Sequence, residues 1–293
     1  MNPADEFVTI ADILRWFTTE LARSAVFYGH GTDNPWDEAL ALLCGRLGIA
    51  VEKLQFVTNA RLTTQERRQL VRLLERRIVQ RVPVPYLVGE AWFAGRRYLV
   101  TPGVLIPRSP IAELIEQEFS PWLPHSPLRI LDLGTGSGCI GIACAHAFPE
   151  AVVTLSDTDE AALALARRNV ALHGVTDRVE VVRADAFDGL TPTRYDLIVT
   201  NPPYVNANDM AELPAEFRHE PRAALAAGND GLDVMRRIVD EARRWLTDDG
   251  VLVGEVGSSA DALMVRFPSI PFIWPDLVRG GRGVFVVDAA RLS

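Results

Sequence analysis

The first 81 residues carry apolar side chains at intervals of three and four positions. This period places them along one face of a helix, so three helices are predicted here. The first is capped by Thr9 or Asp12, the second runs over residues 35–47 from the N-cap Asn34 to a stop at Gly48, and the third runs over residues 63–81. Residues 1–82 are therefore predicted to form a small helical domain.

Prolines and glycines interrupt the pattern between residues 83 and 107. Two strand-like pieces, at 91–93 and 97–100, lie between them and predict a small β-hairpin. A helical pattern at 111–119 follows, and it ends at another proline-rich break. Residues 83–127 are therefore predicted to be a linker that contains a hairpin and a helix.

From residue 129 onward, short aliphatic runs alternate with helical patterns. This alternation predicts an α/β domain over residues 128–293, with a mostly parallel sheet and helices on both faces. In such sheets, ligands bind at the carboxyl ends of the strands. The predicted strands are 129–133, 151–156, 179–183, 196–200, 251–256 and 284–287, and the main helices are 138–148, 160–173 and 232–246.

A glycine-rich turn follows the first of these strands, in the run Asp132-Leu133-Gly134-Thr135-Gly136-Ser137-Gly138. Glycines allow a sharp turn and a close approach of the backbone to a ligand. The helix that follows directs its N–H groups toward the same place. The overlapping run 136–141 also fits the dinucleotide pattern GxGxxG, so the turn alone leaves S-adenosylmethionine, NAD and FAD open as ligands.

Two aspartates at later strand ends extend the candidate cofactor site. Asp157 ends the second strand, where its carboxylate can accept hydrogen bonds from two ribose hydroxyls. Asp185 follows the third strand, where it can accept a hydrogen bond from an adenine amino group, and Phe187 can cover the ring. The candidate cofactor-binding residues are Asp132, Gly134, Thr135, Gly136, Ser137, Gly138, Asp157, Asp185, Phe187 and Asn201.

The most specific feature of the sequence is the run Asn201-Pro202-Pro203-Tyr204, which follows the strand at 196–200 directly. Consecutive prolines fix φ and lack an N–H, so the turn is stiff and the Pro202 carbonyl can point outward. The Pro202 carbonyl and the Asn201 side-chain oxygen are then two acceptors, which match the two N–H bonds of a planar NH2 group. Tyr204 offers a flat face for stacking.

These four residues, Asn201, Pro202, Pro203 and Tyr204, are the candidate catalytic residues. Hydrogen bonds to both hydrogens of an NH2 group return electron density to its nitrogen and orient it toward a methyl donor. The combination of the glycine turn and this tetrad therefore predicts a methyltransferase that uses S-adenosylmethionine and acts on a planar NH2 nitrogen.

The glycine turn and the tetrad, behind a helical N-terminal domain, resemble those of the protein-glutamine N-methyltransferases. One branch of that family acts on peptide-chain release factors and another on large-subunit ribosomal protein number three. This sequence resembles the ribosomal branch at 28–38, 218–221 and 228–232. It also resembles that branch at 107–115, where Ala112 replaces the threonine usual in release-factor enzymes.

The resemblance implies a Rossmann-like class I methyltransferase domain with a mixed seven-stranded sheet. It implies that the glycine turn lines the methionine part of S-adenosylmethionine, that Asp157 holds the ribose, and that Asp185 or its neighbours meet the adenine. The tetrad would hold the glutamine amide of the ribosomal protein. Release-factor relatives carry a large residue where this chain has Ala186, so adenine packing is expected to depend on Phe187.

Charge and cysteine content limit the partners and the kind of site. The formal net charge of −8 argues against a chain that coats itself with nucleic acid. The row Arg68, Arg72 and Arg76 suits either a solvated helix face or contact with ribosomal RNA.

Three cysteines and five histidines show no disulfide or metal spacing, so no metal is expected. Without a signal-peptide pattern or an apolar run of about 20 residues, a cytoplasmic protein without membrane contact is expected.

Two rival interpretations start from the same residues. Amino-methyltransferases of DNA or RNA use a similar loop on a flipped base, but the acidic chain has no basic recognition domain. A non-catalytic assembly factor would bind the cofactor and dock on ribosomal particles, but the intact tetrad argues against it. Release-factor methylation is the alternative within the same family.

Overall fold

The structure is a computed structural model that describes residues 6–292. The start of the chain, on which the expectation of no signal peptide depends, lies mostly outside the described residues. The chain divides into two compact units. The first comprises the described part of Met1–Ala91 with Val100–Pro102 and Pro214–His219, and the second comprises Trp92–Leu99, Gly103–Leu213 and the described part of Glu220–Ser293. The domain boundaries at residues 82 and 127 stay a prediction.

The first unit is built from helices whose ends follow the local sequence signals. Thr9 and Asp12 form a reciprocal capping box, and Asn34 accepts a hydrogen bond from the backbone of Asp37. Gly48 ends the second helix in the left-handed region, at φ 66°. The three predicted helices are thus confirmed. The helices are α1 (Ile10–Arg23), α2 (Pro35–Leu47), α3 (Thr64–Val79) and a short α4 (Val84–Val88).

A buried ion cluster holds the segment Pro214–His219 within this unit. Arg77 of α3 is buried and forms ion pairs with Glu38 of α2 and, at 3.0 Å, with Glu216. Glu216 also accepts a hydrogen bond from the backbone of Phe27 at 2.9 Å. A buried arginine requires such partners, because an unpaired buried charge is costly.

A hairpin of β1 (Glu90–Phe93) and β2 (Arg96–Leu99) follows α4 in the chain, as predicted. Its two-residue turn has positive φ at Ala94 and Gly95, which suits the twist of paired strands. Helix α5 (Ile111–Glu116) follows and is shorter than predicted, because Glu118 and Phe119 adopt positive φ.

A six-stranded sheet lies at the centre of the second unit, in the order β5-β4-β3-β6-β7-β8. Neighbouring strands are parallel except β7 and β8, which are antiparallel. Strand order reverses between β3 and β6, and the ligand site of such a sheet is expected there. The strands are β3 (Arg129–Leu133), β4 (Val152–Asp157), β5 (Val179–Arg183), β6 (Tyr195–Thr200), β7 (Leu246–Glu255) and β8 (Val284–Asp288).

Alternate residues of β3, β6, β7 and β8 enter two separate hydrophobic cores, one on each face of the sheet. Ile130 packs into one core and Leu131 into the other, and Val284 and Phe285 divide in the same way. The α/β prediction is thus confirmed. The helices of this unit beyond β3 are α6 (Cys139–Ala147), α7 (Glu160–Leu172), α8 (Ala207–Glu212), α9 (Asp233–Trp245) and α10 (Ala260–Arg266).

The sheet has six strands within residues 6–292, where seven were expected. The place of the seventh is taken by a single antiparallel bridge, in which Ile273 and Val286 exchange backbone hydrogen bonds of 2.8 and 2.9 Å. Pro271 and Pro275 lie on either side of Ile273 and cannot donate to a ladder, so the pairing stops after one residue. Within the same described range, no helix has the length and apolar character needed to cross a membrane.

Candidate active site

The glycine turn after β3 requires its glycines for conformational reasons. Gly134, Gly136 and Gly138 have φ of 68°, 55° and 84°, in the region that side chains with a Cβ disfavour. Gly141 in α6 is needed for a different reason, because an added Cβ would lie 2.1 Å from Leu155. The turn is therefore tightly curved, and the helix behind it packs closely on the sheet.

Asp132 lies beneath this turn and has no exposed surface. Its Oδ2 accepts hydrogen bonds from the Thr135 hydroxyl at 2.5 Å and from the Gly141 amide at 2.9 Å. Burial raises the pKa of Asp132 to about 6. Asp132 was predicted to bind cofactor, but its position indicates that it shapes the turn from below.

Asp157 at the end of β4 lies beside the turn, as predicted. Its Oδ2 accepts a hydrogen bond from the Gly136 amide at 2.9 Å, and its Oδ1 accepts one from the Asp159 amide at 3.0 Å. Burial raises the pKa of this carboxyl. The turn and the tip of β4 thus form one continuous surface.

The segment after β5 places Asp185 and Phe187 differently. Asp185 lies on the wall of the main cavity, and its carboxylate accepts a hydrogen bond of 2.8 Å from Arg237. Phe187 is only 3% exposed and stacks on Trp245 with ring centroids 5.2 Å apart. Phe187 therefore belongs to the hydrophobic core, and the expectation that it covers an adenine ring does not fit its position. Ala186, at φ 51°, lies on the cavity wall instead.

The tetrad continues from β6 and divides between two adjoining cavities. Asn201, Pro202 and Pro203 line the main cavity. Tyr204 lines a smaller one, which Asn201 and Pro202 also line. The Asn201 Nδ2 makes a long contact of 3.5 Å with the Arg108 carbonyl, which leaves its Oδ1 as the acceptor end of the amide.

The main cavity brings most of the predicted site residues together. The volume of this cavity is about 230 Å³, whereas a single water occupies roughly 10–15 Å³ of such a cavity. The main cavity is therefore large enough for a ligand. The adjoining cavity, at about 20 Å³, has room for little more than a water-sized group. The predicted residues on the main wall are Gly134, Thr135, Gly136, Ser137, Asp157, Asp185, Asn201, Pro202 and Pro203. Those that are not on it are Asp132, Gly138, Phe187 and Tyr204.

Residues 103–108 form one wall of the main cavity, and the sequence did not predict this wall. The Arg108 guanidinium makes two hydrogen bonds to Glu220, at 2.5 and 2.6 Å, and Glu220 also accepts one from the Ile106 amide. No local pattern reveals this, because the partners are more than a hundred positions apart. Within residues 6–292, no group of three or more His, Cys, Asp or Glu side chains is arranged to hold a metal ion.

Comparisons with known proteins agree with this geometry. The PrmC N-terminal domain family matches residues 12–89, and the methyltransferase small domain family matches residues 119–231. Among solved structures, the hMettl16 catalytic domain in complex with MAT2A 3′UTR hairpin 6 has a TM-score of 0.53 at 18% identity. That match covers 76% of this chain and 81% of the other and shows the similarity of fold alone.

Two curated relatives match almost the whole chain. The ribosomal protein uL3 glutamine methyltransferase of Francisella tularensis subsp. tularensis is 44% identical over 286 residues, which cover 97% of this chain and 91% of the relative. The ribosomal protein uL3 glutamine methyltransferase of Bordetella pertussis is 41% identical over 294 residues, which cover 100% and 99%. Together with the α/β fold, these matches show that the chain is a methyltransferase and belongs to the ribosomal protein uL3 glutamine methyltransferase family.

Proposed function

We propose that this enzyme methylates the side-chain amide nitrogen of a glutamine in ribosomal protein uL3. The observation that carries the proposal is the shared cavity, whose wall contains both the glycine turn and Asn201-Pro202-Pro203. The curated relatives are named for uL3, and this supports the choice of substrate. Methyltransferases of this fold in general use S-adenosylmethionine.

The cavity fits S-adenosylmethionine in its chemistry. An added Cβ at Gly136 would meet nothing within 4 Å, so the glycine leaves open space into which a ligand can come close to the backbone. Residues 134–137 would hold the methionine part, and Asp157, whose oxygens each keep a second lone pair, would hold the ribose. The wall 184–186 would meet the adenine. When bound, the cofactor supplies an electrophilic methyl group on a positively charged sulfur.

The tetrad would hold the glutamine amide. The Asn201 Oδ1 and the Pro202 carbonyl would each accept one N–H of the NH2 group, which restricts delocalisation of the nitrogen lone pair. Because the two prolines make the turn stiff, these acceptors are oriented before the substrate arrives. Asn201, which lines both cavities, would also border the cofactor. A strong base is not needed, since the nitrogen becomes acidic once it has gained the methyl group and then loses a proton.

Ribosomal RNA is proposed as a second contact, through the arginine row of α3. Arg68, Arg72 and Arg76 are exposed, and within residues 6–292 none of them forms an ion pair. At a rise of about 1.5 Å per residue, the row extends over roughly 12 Å of the helix. It would meet phosphates when uL3 is presented on an assembling large subunit.

The test of the proposed function compares acceptors directly. The purified enzyme would be incubated with radiolabelled S-adenosylmethionine and, in separate reactions, with uL3, a peptide-chain release factor, or RNA and DNA. The proposal predicts label in uL3, with one added methyl group on a glutamine by peptide mass spectrometry. Label in a release factor or in nucleic acid, with none in uL3, would contradict it.

A further inference from the structure

Glu255 is a buried carboxylate at the end of β7, beside the strand that leads into the tetrad. It is 4% exposed, and its backbone neighbour Gly254 pairs with Thr200, the residue before Asn201. Its Oε1 accepts a hydrogen bond of 2.9 Å from the Tyr204 hydroxyl, and its Oε2 accepts one of 2.6 Å from the Ser109 hydroxyl. The direct contacts proposed above for the glutamine amide do not include this residue.

Tyr204 is also held at Gly257, which contacts its ring, and at its own backbone carbonyl. An added Cβ at Gly257 would lie 2.5 Å from the ring, so the glycine packs directly against it. The backbone carbonyl of Tyr204 accepts a hydrogen bond of 3.0 Å from Ser259. The hydrogen bond to Glu255 therefore restrains the hydroxyl end of a ring that contacts Gly257 on one side.

Two consecutive residues connect this carboxylate to the other end of the tetrad. The Arg108 carbonyl contacts the Asn201 amide nitrogen at 3.5 Å, and the next residue, Ser109, binds Glu255. The Arg108 side chain is itself held by its double hydrogen bond to Glu220. Asn201 and Tyr204 are thus linked to the same short segment, one directly and one through Glu255.

We infer that Glu255 is a positioning residue for the acceptor glutamine. By accepting hydrogen bonds from both Tyr204 and Ser109, its carboxylate holds the stacking ring in register with the two amide-binding acceptors. The inference rests on the proposed function. Since a displacement of about 1 Å can cost up to a hundredfold in rate, loss of this restraint should reduce turnover.

The experiment measures kcat, the KM for uL3 and the Kd for S-adenosylmethionine in the full-length enzyme. Glu255→Leu removes both acceptors, and Glu255→Gln keeps one acceptor oxygen. We expect kcat to fall about a hundredfold in the first and about tenfold in the second, with the cofactor Kd within about twofold of wild type. The matched control is Glu113→Gln, at a carboxylate that is 5% exposed and bound by the amides of Val278 and Arg279.

Two further variants separate positioning from folding. Tyr204→Phe and Ser109→Ala each remove one donor to Glu255, and we expect the effects of Tyr204→Phe and Glu255→Gln on kcat to be less than additive. Partial rescue by glutamine and this coupling support positioning.

The inference is overturned if Glu255→Gln and Ser109→Ala match the Glu113→Gln control in kcat. It is also overturned if the Tyr204 and Glu255 variants act additively, or if a loss of turnover appears only together with lost cofactor binding. A wild-type enzyme that does not methylate uL3 at all would instead refute the proposed function.

Discussion

The backbone amide of Gly136 donates a hydrogen bond of 2.9 Å to Oδ2 of Asp157, which ties the glycine turn to the end of the neighbouring strand. Asp157→Ala would remove this bond together with the acceptor proposed for the ribose. Hydrogen bonds to a charged group contribute about 1.5–3 kcal/mol, so the Kd for S-adenosylmethionine should rise at least tenfold. Isothermal titration calorimetry would measure it. Asp185→Ala, at a more exposed carboxylate paired with Arg237, should change the Kd less, and the reverse order would contradict the assignment.

The buried Asp132 predicts a pH dependence of stability. Its folded pKa of about 6 lies above the usual value of 3.8, so between these values the folded chain holds a proton that the unfolded chain has lost. Its contribution to the free energy of unfolding is therefore present below about pH 4 and is lost as pH rises through about 6, by at most about 3 kcal/mol.

Asp132→Asn does not titrate and isolates this effect. Measured by urea unfolding at a series of pH values, the stability of the asparagine variant relative to wild type should increase between pH 4 and 7. A relative stability that stays constant over this range would show that the pKa of Asp132 is not shifted, and one that decreases would show that it is lowered. Either result would contradict the prediction.

The two glycines Gly136 and Gly141 should respond differently to alanine. Gly136→Ala introduces strain at positive φ, of about 1–2 kcal/mol, and places a methyl group in the open cavity. Gly141→Ala places its Cβ 2.1 Å from Leu155, and such overpacking costs about 1–3 kcal/mol. Cofactor binding should therefore weaken mainly in the first variant and stability should fall mainly in the second. Calorimetric titration and urea unfolding would separate them, and equal loss of cofactor affinity would refute the distinction.

The arginine row of α3 predicts a salt-dependent affinity for RNA. Replacing Arg68, Arg72 and Arg76 with glutamine should reduce the slope of log K against log salt concentration by about 2–3 for a fragment of ribosomal RNA. Fluorescence anisotropy at several salt concentrations would measure it. A control that removes three exposed arginines elsewhere, at 167, 168 and 244, should leave the slope nearly unchanged. Equal slopes for the two triple variants would argue against a specific RNA contact.

The features that sequence predicted well are those set by neighbouring residues. Helix α2 begins and ends where predicted, because Asn34 and Gly48 determine its ends locally. The glycine turn and the proline turn were also recognisable, since each needs particular backbone angles at adjacent positions. Parallel strands then bring the two turns to the same cavity.

The features that sequence did not predict depend on distant contacts. Phe187 follows a strand end, a place that suits a cofactor contact, but its ring stacks in the core on Trp245, which lies far along the chain. The Arg108 carbonyl contacts Asn201, and the Ser109 hydroxyl binds Glu255. Both of these partners lie far along the chain from residues 108 and 109. The reduced seventh strand results from prolines on both sides of one bridging residue, a pattern that alternation alone does not reveal.

Asn201 is proposed to hold the acceptor amide beside the methyl donor, and single-turnover kinetics of Asn201→Ala would measure how much this contact contributes. Loss of one preorganised hydrogen-bonding group typically lowers the rate by about 10²–10³. We expect the rate of methyl transfer to uL3 to fall by that factor, with a Kd for S-adenosylmethionine within about threefold of wild type, since most of the proposed cofactor contacts lie on the glycine turn and Asp157. A variant that transfers the methyl group at the wild-type rate would contradict the proposed role of Asn201.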